Sequence, residues 1–516
     1  MQFFRHFSYR SFLTRAVMGI SALCLFASQG LSVSAATIKE ENIASNQALA
    51  IQSNEVANWP TGPVVSAESA ILMDADTGAI LYAKNIHQQE YPASTTKILT
   101  TLIASERCSM DEIVDFSYDA VHDIDPGSNH IAIEPGEQLT MEECLNAILI
   151  RSANEVSFAV AEHISGTTWQ DFAPIMNERA KELGCVDSNF VNPNGLPNED
   201  HYTSAYDLAM IGRAFFANEA LCKMTMTHML HILPSERQPD DIMEVNKMEL
   251  IPGGKYAYPY LVGCKTGYTD VARSTLVSCA EKDGMKLICV VMKDENPNYY
   301  EDTIALFDYG FSNFQRVNIS QTETKYNIEN AGSFYSGNDI FGNSKPILEL
   351  NQTDSITLPN TITFQDAVSS ISYDNTEPGQ VAVITYTYND VALGTASLDF
   401  TAAEKGSSVF RENTAETTES AEESGTTDET QSGTTTTEAD NTETTETAGD
   451  NTGNNGGIPT VAQETSPEEE NSTSGGPAVI FINVVKVFFC IVGIAVLIFL
   501  ALLLRCLLYT SPSPRD

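Results

Sequence analysis

Ser94 and Lys97 stand three residues apart in the stretch Tyr91-Pro-Ala-Ser-Thr-Thr-Lys-Ile-Leu-Thr100. On a helix that spacing puts both side chains on one face, within reach of each other. A hydroxyl beside an amine is a nucleophile beside a base. Pro92 and Ala93 lead in, and Ile98, Leu99 and Leu102 follow at near-helical spacing, so Ser94 is expected at a helix N-terminus. There the helix dipole and unpaired N–H groups favour negative charge on a reacting oxygen. Two further short motifs follow in order, Ser152-Ala-Asn154 and Lys265-Thr-Gly267. Each alone is cheap. Their order and context are not: the first opens a helix, the second interrupts a helical pattern and the third lies at a strand end. That placement lets three separated segments converge on one cleft beside a sheet.

The elements that must hold these motifs can be read from periodicity. Ala70-Ile-Leu-Met and Ala79-Ile-Leu-Tyr flank Asp74-Ala-Asp-Thr-Gly78 as a β-hairpin. Thr140-Met-Glu-Glu143 is a capping box that starts a helix running to Ile150, and a helical pattern resumes over Glu155–Ile164. Another helix is predicted from Trp169 to Leu183, stopping at Gly184, and another over Leu208–Phe216 behind the cap Ser204-Ala-Tyr-Asp207. Pro259–Gly267, Thr275–Ala280 and Leu287–Met292 read as strands, with Asp283-Gly284 as the tight turn between the last two. Tyr300–Tyr309 is a closing helix. Strands at both ends with helices between predict one antiparallel sheet against a helical layer, an α+β fold. After Arg316 short alternating segments, with a hairpin about Asn389-Asp390, predict a small all-β domain.

The chain has 516 residues and a formal net charge of −41. That balance excludes nucleic acid as a partner, because a phosphate backbone needs a basic surface. Much of the charge lies in one late stretch and describes a tail. Of the ten cysteines, seven fall in the folded part with no C-x-x-C, and they read as small buried hydrophobes. The histidines offer no H-E-x-x-H spacing, and neither a metal nor another cofactor is expected.

Residues 1–36 read as a signal peptide, with Arg5, Arg10 and Arg15 ahead of an apolar core and small residues for cleavage after Ala35 or Ala36. A flexible lead-in is expected over 37–63, the first domain over 64–316 and the β domain over 317–404. Residues 405–477, rich in Thr, Glu, Asp and Ser, cannot bury enough surface to offset their ordering entropy and read as a disordered tether. Val487–Leu504 is a continuous apolar run between Lys486 and Arg505. At 1.5 Å per residue it reaches about 27 Å, close to the thickness of a bilayer core. With the leader, it predicts a single-pass membrane protein with the folded domains outside and the C-terminus inside. Residues 506–516 look like the translation of a sequencing adapter.

With all three motifs in hand, the sequence resembles the serine D-Ala-D-Ala carboxypeptidases, the low-molecular-mass penicillin-binding proteins of peptidase family S11, over about Val64 to Gln315. The resemblance is carried by Tyr-Pro-Ala-Ser-Thr-Thr-Lys, Arg-Ser-Ala-Asn-Glu, Asn-Pro-Asn-Gly-Leu followed by His-Tyr-Thr-Ser-Ala-Tyr-Asp, and Lys-Thr-Gly-Tyr-Thr-Asp. It implies a β-lactamase/transpeptidase-like domain, with the 317–404 domain matching a small β-sandwich by position and pattern. It implies peptidoglycan stem peptides ending in D-Ala-D-Ala as substrates and β-lactams as acylating inhibitors. Ser94 is then the acyl-ester nucleophile, Lys97 the general base, and Ser152 a proton relay to the leaving D-alanine. Asn154 holds the substrate amide, Lys265 and Thr266 suit the terminal carboxylate, Gly267 admits the substrate backbone, and Tyr268 with Ser94 offers oxyanion N–H groups. Arg273 departs from the small residue the family often carries there. His201, Tyr202 and Asp207 read better as structure than as chemistry. A class A-like β-lactamase is the alternative, but Glu142-Glu-Cys-Leu-Asn146 precedes Ser152, the wrong order for its deacylating glutamate. An inactive wall-binding ectodomain is the other, opposed by the intact motifs.

Overall fold

Asp74 makes the first turn: its Oδ1 accepts the N–H groups of Asp76 and Thr77 at 2.9 and 3.0 Å. The turn joins β1 (Ser69–Asp74) to β2 (Ile80–Lys84), the hairpin expected from the apolar runs on either side. The structure is a computed structural model, and it describes residues 38–326, 348–374 and 379–400. The signal peptide, the acidic linker, the apolar run Val487–Leu504 and the last eleven residues lie outside the described residues. Among the described residues no helix is long and apolar enough to cross a membrane.

A helix, α1, spans residues 38–47 ahead of the hairpin, and the turn Ala93–Thr96 runs into α2 (Lys97–Arg107) after it. The short strands β3 (Ile113–Asp115) and β4 (Gln138–Thr140) flank the small helix α3 (Tyr118–His122) and pair with each other. They deliver the chain to α4 (Met141–Asn146), whose expected capping box is present between Thr140 and Glu143. A π-helical turn, Ala147–Arg151, then ends on Ser152 in the left-handed conformation. The helices α5 (Asn154–Ser165), α6 (Phe172–Glu182), α7 (Ala205–Ala217) and α8 (Glu219–Met226) follow. Next comes the hairpin β5 (Met229–Ile232) and β6 (Ile242–Val245), and then three long strands: β7 (Leu261–Thr269), β8 (Arg273–Lys282) and β9 (Met285–Asp294).

The main sheet is antiparallel with order β2-β1-β9-β8-β7, so N- and C-terminal segments meet at the β1–β9 ladder and β7 forms an edge. Both faces are covered. Ile71, Met73, Val277, Ile288, Val290 and Met292 enter the core shared with α2, α5 and α7. Their alternate neighbours Ala70, Leu72, Leu276, Leu287 and Val291 enter a second core with α9 (Asn298–Asn313). Burial on both sides is why these strands read as unbroken apolar runs.

The second core does not stop at residue 316. Strand β10 (Phe314–Asn318) carries the chain across the expected domain boundary, a single-turn helix α10 (Ile319–Thr322) follows, and β11 (Leu348–Leu350) precedes β12 (Ser355–Pro359), which pairs with β10. A four-stranded sheet, β11-β15-β14-β13, is completed by β13 (Val368–Ser372), β14 (Gln380–Tyr388) and β15 (Val391–Phe400). Ile356, Leu358, Ile384 and Leu393 share their apolar cluster with Trp59, Leu81 and Phe307. Thr357 Oγ1 donates to Asp74 Oδ2 at 2.8 Å, tying β12 to the first turn of the chain.

Residues 38–63, expected as a flexible lead-in, are packed. Trp59 is buried and its Nε1 donates to the Leu81 carbonyl at 2.9 Å. Lys84, fully enclosed, donates from Nζ to the carbonyls of Asn46, Val65 and Ala67 at 2.8, 2.9 and 2.7 Å. The anchoring is polar and tertiary, so no apolar period in the segment announces it. The seven cysteines of the described residues are free thiols, five of them buried.

Candidate active site

Ser94 sits in the turn before α2, with Lys97 as the first residue of the helix. Lys97 Nζ lies 3.1 Å from Ser94 Oγ, 2.8 Å from Asn154 Oδ1 and 2.6 Å from the Asn194 carbonyl. Asn154 Nδ2 donates to the Asn129 carbonyl at 3.0 Å, which fixes its amide so that Oδ1 faces the lysine. Two of the three partners of Lys97 are therefore carbonyl oxygens that can only accept. A neutral amine has two N–H donors and one lone pair. With both donors committed, the lone pair is left for the Ser94 hydroxyl. Lys97 is buried, and its pKa is held well below the usual lysine range, first by burial and then by the charge of Lys265. The site thus favours the form of Lys97 that can take a proton from serine.

Lys265, on the edge strand β7, donates from Nζ to Ser152 Oγ at 3.1 Å and to the Thr266 carbonyl at 2.9 Å. Burial pushes its pKa down to about 8. Ser152 is brought to it by a left-handed residue, φ 61°, at the end of the π-helical turn. Ser94, Ser152, Asn154, Lys265, Thr266, Gly267 and Tyr268 all line one cleft of about 650 Å³. Lys97 lies beneath it. The three motifs expected to converge do so.

Two glycines make the convergence possible. A Cβ on Gly267 would stand 2.9 Å from both Ser94 N and the Pro92 carbonyl, and 2.5 Å from Thr275 Oγ1. The bare position thus lets β7 pack against the protein's own serine turn. Gly195, φ +82°, lies so close to the Ala93 carbonyl that a Cβ there would overlap it. The Asn192–Gly195 turn is thereby pressed against the serine, and it delivers the Asn194 carbonyl to Lys97.

His201 is buried and bridges Val191 N, which donates to Nδ1 at 3.1 Å, and Thr96 Oγ1, 2.9 Å from Nε2. Burial and the charge of Lys97 bring its pKa down to about 3, so it stays neutral. Asp207 accepts from Val186 N, Asp187 N and Ser188 Oγ. Both are structural, as expected. Glu142 and Glu143 lie in the first turn of α4, where Glu143 closes the capping box.

Several residues of the cleft went unanticipated. Asn129 receives both Asn154 N and Arg151 Nη1, and Glu155, buried behind it, accepts Ile131 N at 2.6 Å, so the loop 123–135 is pinned over the cleft. Arg273 and Glu295 line the same cleft and form a fork of hydrogen bonds. Counting outward from Asp283-Gly284 along β8 and β9 sets Arg273 opposite Asp294, and only the bulge between Ser274 and Leu276, which the count does not reveal, shifts Glu295 to it.

This geometry can support nucleophilic attack by a serine under a lysine base, with an amino group nearby for an anionic substrate end. The model of the D-alanyl-D-alanine carboxypeptidase family, peptidase S11, matches residues 56–296. The D-alanyl-D-alanine carboxypeptidase DacF of Bacillus subtilis is 37% identical over 252 residues, covering 48% of this chain and 63% of that relative, which is less than two thirds of its length. DacB2 of Mycobacterium tuberculosis, of the same description, is 32% identical over 263 residues, covering 49% of this chain and 84% of that protein. Penicillin binding protein 5 from Haemophilus influenzae superposes with a TM-score of 0.51 at 23% identity, covering 66% of this chain and 98% of that one, a likeness of fold. The chain belongs to the D-alanyl-D-alanine carboxypeptidase family.

Proposed function

We propose that this protein is a serine D-Ala-D-Ala carboxypeptidase that removes the terminal D-alanine from peptidoglycan stem pentapeptides. The observation that carries the reading is the hydrogen-bond set of Lys97, whose two carbonyl partners leave its lone pair for Ser94. Ser94 Oγ attacks the carbonyl between the two D-alanines while its proton passes to Lys97 Nζ. N–H groups of Ser94 and Tyr268 receive the developing oxyanion. Ser152, hydrogen-bonded to Lys265, hands its hydroxyl proton to the leaving nitrogen and takes in its place the proton Lys97 received from Ser94. The C–N bond breaks and D-alanine departs, leaving an ester on Ser94 and a neutral Lys97. Asn154 orients the substrate amide. Lys265 and Thr266 bind the α-carboxylate of the terminal D-alanine. Water then attacks the ester, the C–O bond to Ser94 breaks and the hydroxyl is restored.

Penicillins enter the same path and stop at the ester. The β-lactamase reading is disfavoured because Glu142, the match to the deacylating glutamate, precedes Ser152 and lies in the first turn of α4 beside the capping residue Glu143. The leader, the tether and the run Val487–Leu504 support a membrane-anchored enzyme acting on the wall side. The decisive experiment incubates the protein and its Ser94→Ala variant with a pentapeptide ending in D-Ala-D-Ala and measures free D-alanine. Release by the parent alone is expected. Equal release from both, or none from either, sinks the proposal.

A further inference from the structure

Arg273 and Glu295 form the one charged pair that lines the cleft among the described residues and that the reaction above leaves idle. Arg273 opens β8 with φ 54°, in the left-handed region where glycine is the default and a larger residue is strained. Such strain persists where the surroundings over-determine it, and it concentrates at functional positions. Here the surroundings are Glu295. Arg273 Nε and Nη2 donate to Oε1 at 3.1 and 2.9 Å, and Nη2 donates to Oε2 at 2.7 Å. Glu295 is buried and its Oε1 also accepts Asn42 Nδ2, 3.1 Å away on α1, while Lys39 of the same helix bonds the Asn296 carbonyl. The Arg273 side chain is 33% exposed, and its Nη1 group takes part in none of these bonds. A planar fork can hold one carboxylate and present its remaining edge to another.

The location says what that second anion would be. Strand β7 is the free edge of the sheet along which a peptide can lie. With the terminal carboxylate at Lys265 and Thr266, the rest of the stem leaves in the other direction, past Tyr268 and Thr269. Thr269 is the residue paired with Arg273. We infer that Arg273 binds a free carboxylate on the stem-peptide residue preceding D-Ala-D-Ala, with Glu295 as the positioning residue that fixes the guanidinium. The preferred substrates are stems whose third residue is a diamino diacid with that carboxylate unmodified, over stems in which it is amidated or absent. This inference rests on the proposed D-Ala-D-Ala activity.

The test measures D-alanine release from two pentapeptides that differ only in whether the side-chain carboxylate of the third residue is free or amidated. The full chain should favour the free acid by about tenfold or more in kcat/KM, the scale of one charge-assisted hydrogen bond. Arg273→Gly, which suits the left-handed backbone and so keeps the fold, should bring that ratio to near one, chiefly by raising KM for the acid. Glu295→Gln should lower the ratio, and Arg273→Lys should restore part of it. Equal rates of the parent protein on both peptides, or a ratio unmoved by Arg273→Gly, overturn the inference while leaving the carboxypeptidase intact. No release from either peptide, by contrast, removes the carboxypeptidase reading and this inference together.

Discussion

The backbone nitrogen of Ser94 lies 2.9 Å from the point where a side chain on Gly267 would begin. The strand carrying Lys265 is therefore in van der Waals contact with the turn carrying the nucleophile, and nothing larger than hydrogen fits between them. Gly267→Ala should push the two apart. Overpacking of this kind costs about 1–3 kcal/mol, which leaves a folded protein. Acylation by a fluorescent penicillin should fall by about a hundredfold, the scale of losing one oxyanion donor. A variant with full acylation rate would show that the contact is not needed for chemistry.

Lys97 and Lys265 are coupled through charge. Burial is the larger cause of the depressed Lys97 pKa, and the Lys265 ammonium adds to it. Lys265→Ala should raise the Lys97 pKa, so that a smaller fraction is neutral at a given pH and the acid limb of the acylation profile moves to higher pH. Carboxylate binding should weaken as well. In the parent protein Lys265 itself loses its proton near pH 8, and kcat/KM on peptide should decline above that value. An effect of Lys265→Ala on KM alone would contradict the coupling.

Glu90 offers a stability test away from the cleft. It is buried, its Oε1 accepts the Ser69 hydroxyl, and Oε2 has no partner among the described residues. Burial raises its pKa to about 7, against the hydrogen bond from Ser69. Between about 4.5 and about 7 the folded state binds more protons at this site than the unfolded chain. Its contribution to stability is therefore complete below that window and lost as pH rises through 7, a change on the order of 3 kcal/mol at most. Glu90→Gln should raise the melting temperature at pH 8 and leave it nearly unchanged at pH 4.5. A rise of equal size at both values would show that the carboxyl is not titrating.

Glu143 tests the β-lactamase alternative. As part of a helix cap its removal by Glu143→Ala should cost about 1 kcal/mol of stability, read as a melting shift of a few degrees. The lifetime of the penicillin ester should not change in that variant or in Glu142→Gln. Accelerated or slowed turnover of a chromogenic cephalosporin in either would give these carboxylates a chemical role.

What the sequence disclosed about the site follows from what a residue type can say. Ser94, Lys97, Ser152, Asn154 and Lys265 were visible because their chemistry lies in their side chains and their spacing is local. The carbonyls of Asn194 and Asn129 were not, since every residue has one and only the folded path decides which points inward. The hairpin β5–β6 was missed because four-residue strands, with Met229 and His231 exposed beside buried Leu230 and Ile232, are too short to establish a period. The five strands of the main sheet were legible from their apolar runs and turns, although burial on both faces erased the alternation that would have given the register.

The register of that sheet joins Ser69 to Met292 across almost the whole catalytic domain. β1 is sandwiched between β2 and β9, so the apolar hairpin made first during synthesis has no partner for its open edge until the last long strand is available. Contacts of such sequence separation form slowly, and until they form the edge is exposed to aggregation. A chain built this way stays unfinished until its final long strand has been made. The topology that brings Lys265 to Ser94 thus also delays the assembly of the cleft until β9 is in place beside β1.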